Sequence, residues 1–165
     1  MTGLVNVLDK VTGFVTRIAK FIVGFSVAAQ VIVVFFAVVF RYFIKSPLTW
    51  GDEISSFLLV FITFFGCYVG LVENRLAKIE LFVGLFKGVK KRVLYIISEI
   101  FSLSLLCIIF YLSVGLFFSP TVQGQTSTGL FIPMSILYGL IPVTFSFSII
   151  YSLTRLIKLI TQKEE

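Results

Sequence analysis

Two groups of charged residues could do chemistry in this chain. Arg41, Asp52 and Glu53 flank a short connection, Ile44–Thr49, between two long apolar stretches. That connection brings the three within reach of one another. They can pin a helical hairpin as an ion pair, with the acids favoured at a helix start by the helix dipole. They can also present a charged patch to a soluble partner, and the two roles are compatible. Glu99 is the one acid set well inside an apolar stretch. Acids within a membrane are costly to bury and so mark ion or proton pathways by default. A near-interface acid can instead pair with Arg92, a basic neighbour along the same helix, or with a basic residue of a partner. A relay calls for a second buried acid in another stretch, and the sequence offers none.

The rest of the inventory narrows the chemistry further. There is no histidine, which removes the usual haem ligand, the commonest metal ligand and the usual neutral-pH proton carrier. Cys67 and Cys107 lie mid-stretch and form no C-x-x-C pair, so they read as small apolar packing residues. No catalytic pair, metal-ligand spacing or glycine-rich phosphate loop occurs. Neither an enzyme nor a cofactor is expected.

The elements that must position these residues are membrane helices. The 165 residues are 58% hydrophobic and 13% charged, outside the range of water-soluble folds. Apolar stretches cover about 21–43, 54–72, 93–118 and 130–153, and each meets the roughly 20 residues a helix needs to cross the hydrocarbon core. The expected fold is all-α and integral to the membrane, one domain over 1–165. The first stretch is too long for the apolar region of a signal peptide and is followed by Arg41-Tyr42-Phe43, so it reads as an uncleaved span.

Basic residues set the orientation. Lys10, Arg17 and Lys20 precede the first span; Arg75, Lys78, Lys87, Lys90, Lys91 and Arg92 lie between the second and third; Arg155, Lys158 and Lys163 follow the fourth. Of the fourteen, Arg41 and Lys45 alone fall on the other side. The positive-inside rule then puts both termini in the cytoplasm. The inner basic belt suits anionic lipid headgroups. No basic stripe stands apart from the membrane boundary, so nucleic acid is not an expected partner.

Two further segments carry amphipathic patterns. In residues 1–20, Leu4, Leu8, Val11, Val15 and Ile18 recur at helical spacing. This helix lies along the inner surface or extends the first span inward; the pattern allows both. In 74–90, Ile79, Phe82, Val83 and Phe86 mark one face of an inner interfacial helix. Gly24 with Ala28, and Gly66 with Gly70, are small residues spaced four apart, which lets a neighbouring helix approach closely. Gln30, an amide in mid-span, should face another helix or its own backbone. Thr49 is placed to cap the second helix, and Trp50 to anchor it at headgroup level. The outer loop Ser119–Gly129 is uncharged and reads as a turn. Pro133 falls near the start of the fourth span, and Pro142 in its middle, where a kink is expected.

Over almost its whole length the chain resembles a known family. Arg41-Tyr42 closes the first helix, and Pro47 and Trp50-Gly51-Asp52-Glu53 open the second. Phe65-Gly66 lies mid-span, followed by Asn74-Arg75 and Ile79-Glu80-Leu81. Ile132-Pro133 and Ile141-Pro142 mark the last span. These residues are similar to the small membrane subunit, the DctQ type, of tripartite ATP-independent periplasmic (TRAP) transporters. One departure is that Ala77-Lys78 stands before Ile79, where the family often has a histidine.

The resemblance implies a non-catalytic subunit in the bacterial inner membrane. Its partners would be a large multispanning subunit carrying the substrate and sodium sites, and a periplasmic binding protein delivering an organic acid such as a dicarboxylate or a sialic acid. The small subunit would brace the large one, and its outer edge would help to dock the binding protein. The sequence has no inverted repeat and no pair of broken helices, features on which many autonomous transporters are built. The alternative reading is a small oligomeric transporter or channel using Glu99.

Overall fold

In a computed structural model of the chain, residues 2–46, 48–73, 89–127 and 129–161 are described. Helix α1 runs over Thr2–Val39 and continues into a π-helical turn at Phe40–Ile44. Helix α2 covers Thr49–Val72, α3 covers Val89–Phe117, the short α4 covers Pro120–Gln123, and α5 covers Ser135–Thr161. Four of these are long and apolar enough to cross a membrane. The fold is therefore all-α with four membrane-spanning helices.

The contacts define a layered bundle. α1 packs along α2, and α3 packs along α5. α5 also meets α2 and α1, so α1, α2 and α5 form a triangle with α3 on its far side. Among the described residues the backbones of α2 and α3 do not approach closely. A groove of about 310 Å³ lies between them, lined by Phe64, Cys67 and Tyr68 of α2, Leu105 of α3, and Thr144 and Phe145 of α5.

The interior is inverted relative to a water-soluble bundle. Ala19, Phe65 and Tyr68 form the small apolar core. Most other buried positions are hydroxyl residues: Thr12, Thr16, Ser26, Ser113, Thr144, Ser148, Ser152 and Thr154. Large apolar side chains such as Phe21, Phe35, Phe101 and Ile108 point outward. Lipid tails are as apolar as leucine, so burying apolar surface between helices brings little advantage; small residues that allow close packing are favoured instead. The buried hydroxyls bond largely to the preceding turn, as Thr16 does to Thr12 O at 2.7 Å and Ser148 to Thr144 O at 2.9 Å.

Some details choose between the alternatives the sequence allows, and others differ from it. α1 is continuous from Thr2, with no break where the amphipathic segment meets the span. Its 38 residues rise about 57 Å, well beyond the ~30 Å hydrocarbon thickness. α5 begins at Ser135, because 125–127 and 129–134 are held in a hairpin-like loop. There Thr126 bridges Pro133, and Met134 N donates to Gln125 O at 3.0 Å. The cap position of α2 is Leu48, whose carbonyl accepts from Gly51 N at 3.1 Å, and Thr49 is the first helical residue. Pro142 sits inside α5, and the helix continues through it. Next to it, the Thr144 hydroxyl donates to the carbonyls of Leu140 and Ile141 at 3.0 and 2.9 Å. The inner interfacial segment, with Arg75, Lys78 and Lys87, lies outside the described residues, as do Pro47 and Lys163. Lys90 and Lys91 fall in the first turn of α3.

Candidate functional site

At the outer end, the expected charged trio separates into two devices. The π-helical turn carries Arg41, whose Nη2 lies 3.3 Å from Asp52 Oδ2. Both side chains are more than half exposed, so this pair pins the α1–α2 hairpin only weakly. Glu53 turns away from Arg41. One turn into α2, its carboxylate faces the loop before α5 and accepts from Gly129 N at 2.6 Å and Leu130 N at 2.9 Å. The Ser127 hydroxyl also donates to it. Consecutive backbone N–H groups converging on a carboxylate form an anion nest, and bonds to a charged acceptor are the stronger kind.

This clasp explains the loop's composition. Ser127 supplies a hydroxyl that is buried against Glu53. Gly129 supplies space, because a Cβ there would lie 3.0 Å from Glu53 Oε2 and 3.1 Å from its carboxyl carbon. Phe131 next takes a left-handed conformation, φ 53°, rare for a bulky residue. Its ring stays 78% exposed.

At the inner end, Glu99 is 7% exposed and engaged by α5 through both oxygens. Ser152 Oγ donates to Oε1 at 2.7 Å, and Arg155 Nη1 lies 3.5 Å from Oε2. The expected pairing with Arg92 is overturned. Arg92 reaches the C-terminus of α5 instead, where Nε and Nη2 donate to Leu159 O at 3.0 and 2.8 Å, and Nη2 donates to Ile160 O at 3.0 Å. Terminal helix carbonyls have no partner within their own helix and carry partial negative charge, so a guanidinium fork suits them better than one carboxylate seven residues along its own helix.

Further polar links tie the inner ends together. Lys20 pairs with Glu73, and Lys158 with Asp9 at 2.8 Å. Tyr151 donates to Val72 O at 3.1 Å, and Thr16 shares a 3.3 Å hydrogen bond with the Tyr68 hydroxyl. Gln30 meets its neighbour helix as expected, donating through Nε2 to Ser55 Oγ at 2.9 Å, while its buried Oε1 has no partner among the described residues. Among the described residues, a Cβ built at Gly24 or at Gly66 meets nothing within 4 Å beyond its own helix backbone, so neither glycine is used for packing there. Trp50 is exposed beside the outer end.

Sequence reasoning missed Ser127, Gly129, Ser152 and Arg155. A signal for the last two existed: Ser148, Ser152 and Arg155 recur on one face of α5, and a buried acid needs such a face. Among the described residues no group of histidine, cysteine and acidic side chains could hold a metal. Among the described residues the polar side chains act as interhelical locks.

The fold thus defines a small, multi-pass membrane protein. Residues 30–162 match the family model for the DctQ component of tripartite ATP-independent periplasmic transporters, and the chain belongs to that family. No curated protein matches it significantly. As a family, DctQ proteins are the small component of a transport system that also has a large membrane subunit and a periplasmic binding protein.

Proposed function

We propose that this chain is the non-catalytic brace of a sodium-coupled importer of organic acids, such as a dicarboxylate or a sialic acid. Both termini lie in the cytoplasm, where the basic flanks fall. The observation that carries the reading is the full internal engagement of Glu99 by Ser152 and Arg155. The one deep acid serves as a lock between α3 and α5, and so leaves an autonomous pathway without its main residue.

The brace meets the large subunit through the outward face of α2. Ser56, Leu59, Thr63 and Cys67 are exposed there, beside Gly66 and Gly70. Elsewhere the outward faces carry mainly Phe, Ile, Leu and Val, with small residues more scattered. Small residues on a lipid-level face let a second helix approach closely. The Gly24 and Ala28 face of α1 is a second, narrower contact. At the outer end Arg41 and Asp52 contribute to docking the binding protein, and Trp50 anchors the edge at headgroup level.

The test is uptake into vesicles holding the large subunit, with binding protein and substrate outside. Uptake that requires both this chain and an inward sodium gradient supports the reading. Equal uptake without the chain, or uptake by the chain alone, overturns it.

A further inference from the structure

We propose that Lys10 and Arg17, with Phe14 and Phe21, form a binding stripe on α1 for anionic phospholipid headgroups of the inner leaflet. The argument starts from charge pairing at the inner end. Lys20 pairs with Glu73, Lys158 with Asp9 and Arg155 with Glu99, and Arg92 is spent on the carbonyls of Leu159 and Ile160. Lys10 and Arg17 are exposed and have no partner among the described residues.

These two cations share one face. Seven residues are two helical turns, so they stand about 10 Å apart along the axis. Phe14 and Phe21 follow each by four residues and are 66% and 75% exposed. Val11 and Ile18 widen the same face and are also exposed. The stripe therefore alternates cation and ring along one line.

Its depth is set by the partners of neighbouring residues. Thr16 sits against the Tyr68 hydroxyl, and Lys20 reaches Glu73 at the inner end of α2. Arg17 is thus level with the inner boundary of the spans, with Phe21 above it in the acyl region and Lys10 below it. An arginine fork at that level matches a phosphate in two bonds, and lysine adds a point charge. Each cation close to an anionic surface contributes about fivefold to binding.

Lipid is favoured over an acidic protein surface by what continues above the stripe. Phe25, Ile32, Phe35 and Phe36 carry the outward faces of α1 through the bilayer as large, exposed apolar groups. That is a composition for acyl chains; the wider small-residue face suited to a helix lies on α2, and α1 carries only the narrow Gly24–Ala28 strip.

The test uses the chain purified from native membranes with the large subunit that accompanies it. Native mass spectrometry counts bound phosphatidylglycerol against phosphatidylcholine at equal supply. Thermal melting in each lipid is the second readout. The wild type should retain phosphatidylglycerol and melt higher in it. The Lys10→Gln/Arg17→Gln double variant should lose that preference by roughly 25-fold while keeping the large subunit, and Lys45→Gln, at the outer end, should behave as wild type. Unchanged preference in the double variant overturns the proposal. So does loss of the large subunit from that variant, which would assign the stripe to a protein interface.

Discussion

The backbone N–H of Gly129 donates to Oε1 of Glu53 at 2.6 Å, joining the start of α2 to the loop that leads into α5. Residues far apart in sequence are thereby held at one point on the outer surface. Leu130 N and the Ser127 hydroxyl complete the clasp. The loop carries no charge of its own, and this one carboxylate adds to the backbone bonds that hold it.

Glu53→Gln should therefore destabilise the outer loop more than Asp52→Asn does. Hydrogen bonds to a charged group are worth about 1.5–3 kcal/mol, whereas the exposed Arg41–Asp52 pair is worth about 0–1 kcal/mol. Hydrogen exchange of the Ser127, Gly129 and Leu130 amides reads the difference. Equal protection in the two variants would contradict the clasp.

Gly129→Ala should act in the same direction without touching charge. The added methyl would sit 3.0 Å from Glu53 Oε2, so the carboxylate or the loop must shift. Overpacking of this kind costs about 1–3 kcal/mol. A melting temperature equal to wild type in detergent would show that the loop yields freely.

Glu99 and Arg155 should behave as a coupled pair. Removing one partner of a buried pair costs about 3–5 kcal/mol, whereas replacing both by apolar groups is often neutral. Glu99→Leu alone should lower the yield of folded chain. The Glu99→Leu/Arg155→Met double variant should recover much of that loss and keep uptake. Loss of uptake in a folded double variant would return Glu99 to the role of an ion site.

Arg92→Lys should fray the end of α5. A lysine cannot reproduce three bonds to two carbonyls from a planar fork. Faster exchange of the last-turn amides of α5, with the α3–α5 contact at Glu99 intact, is the expected signature.

The sequence made the frame legible because its signals are long and repeated. Four apolar stretches and the placement of basic residues are redundant, so no single residue decides them. The Arg41–Asp52 pair was legible because a short connection leaves little choice. The partners of Glu53 and Glu99 were not. Each depends on a residue more than fifty positions away, and on which way one carboxylate rotates at the head of a helix. Arg92 was misassigned for the same reason: its nearest acid lies on its own helix, but the bare carbonyls of α5 come from a distant segment. The start of α5 was placed early because Leu130, Phe131 and Ile132 are apolar, while the loop bonds at Gln125, Thr126 and Ser127 that hold them have no hydropathy signal.

Gly66→Leu separates packing within the chain from packing against a partner. Among the described residues, nothing beyond the nearby backbone of its own helix lies within 4 Å of a Cβ at that position, so the isolated chain should melt as wild type. A bulky side chain should still keep a second helix from approaching.

The most direct measurement is co-purification of the tagged chain from native membranes in mild detergent, wild type beside Gly66→Leu, with mass spectrometry of the product. The account predicts a much larger multispanning protein at equal stoichiometry with the wild type, and a several-fold lower recovery of it with Gly66→Leu. A homogeneous assembly of this chain alone would contradict the bracing role.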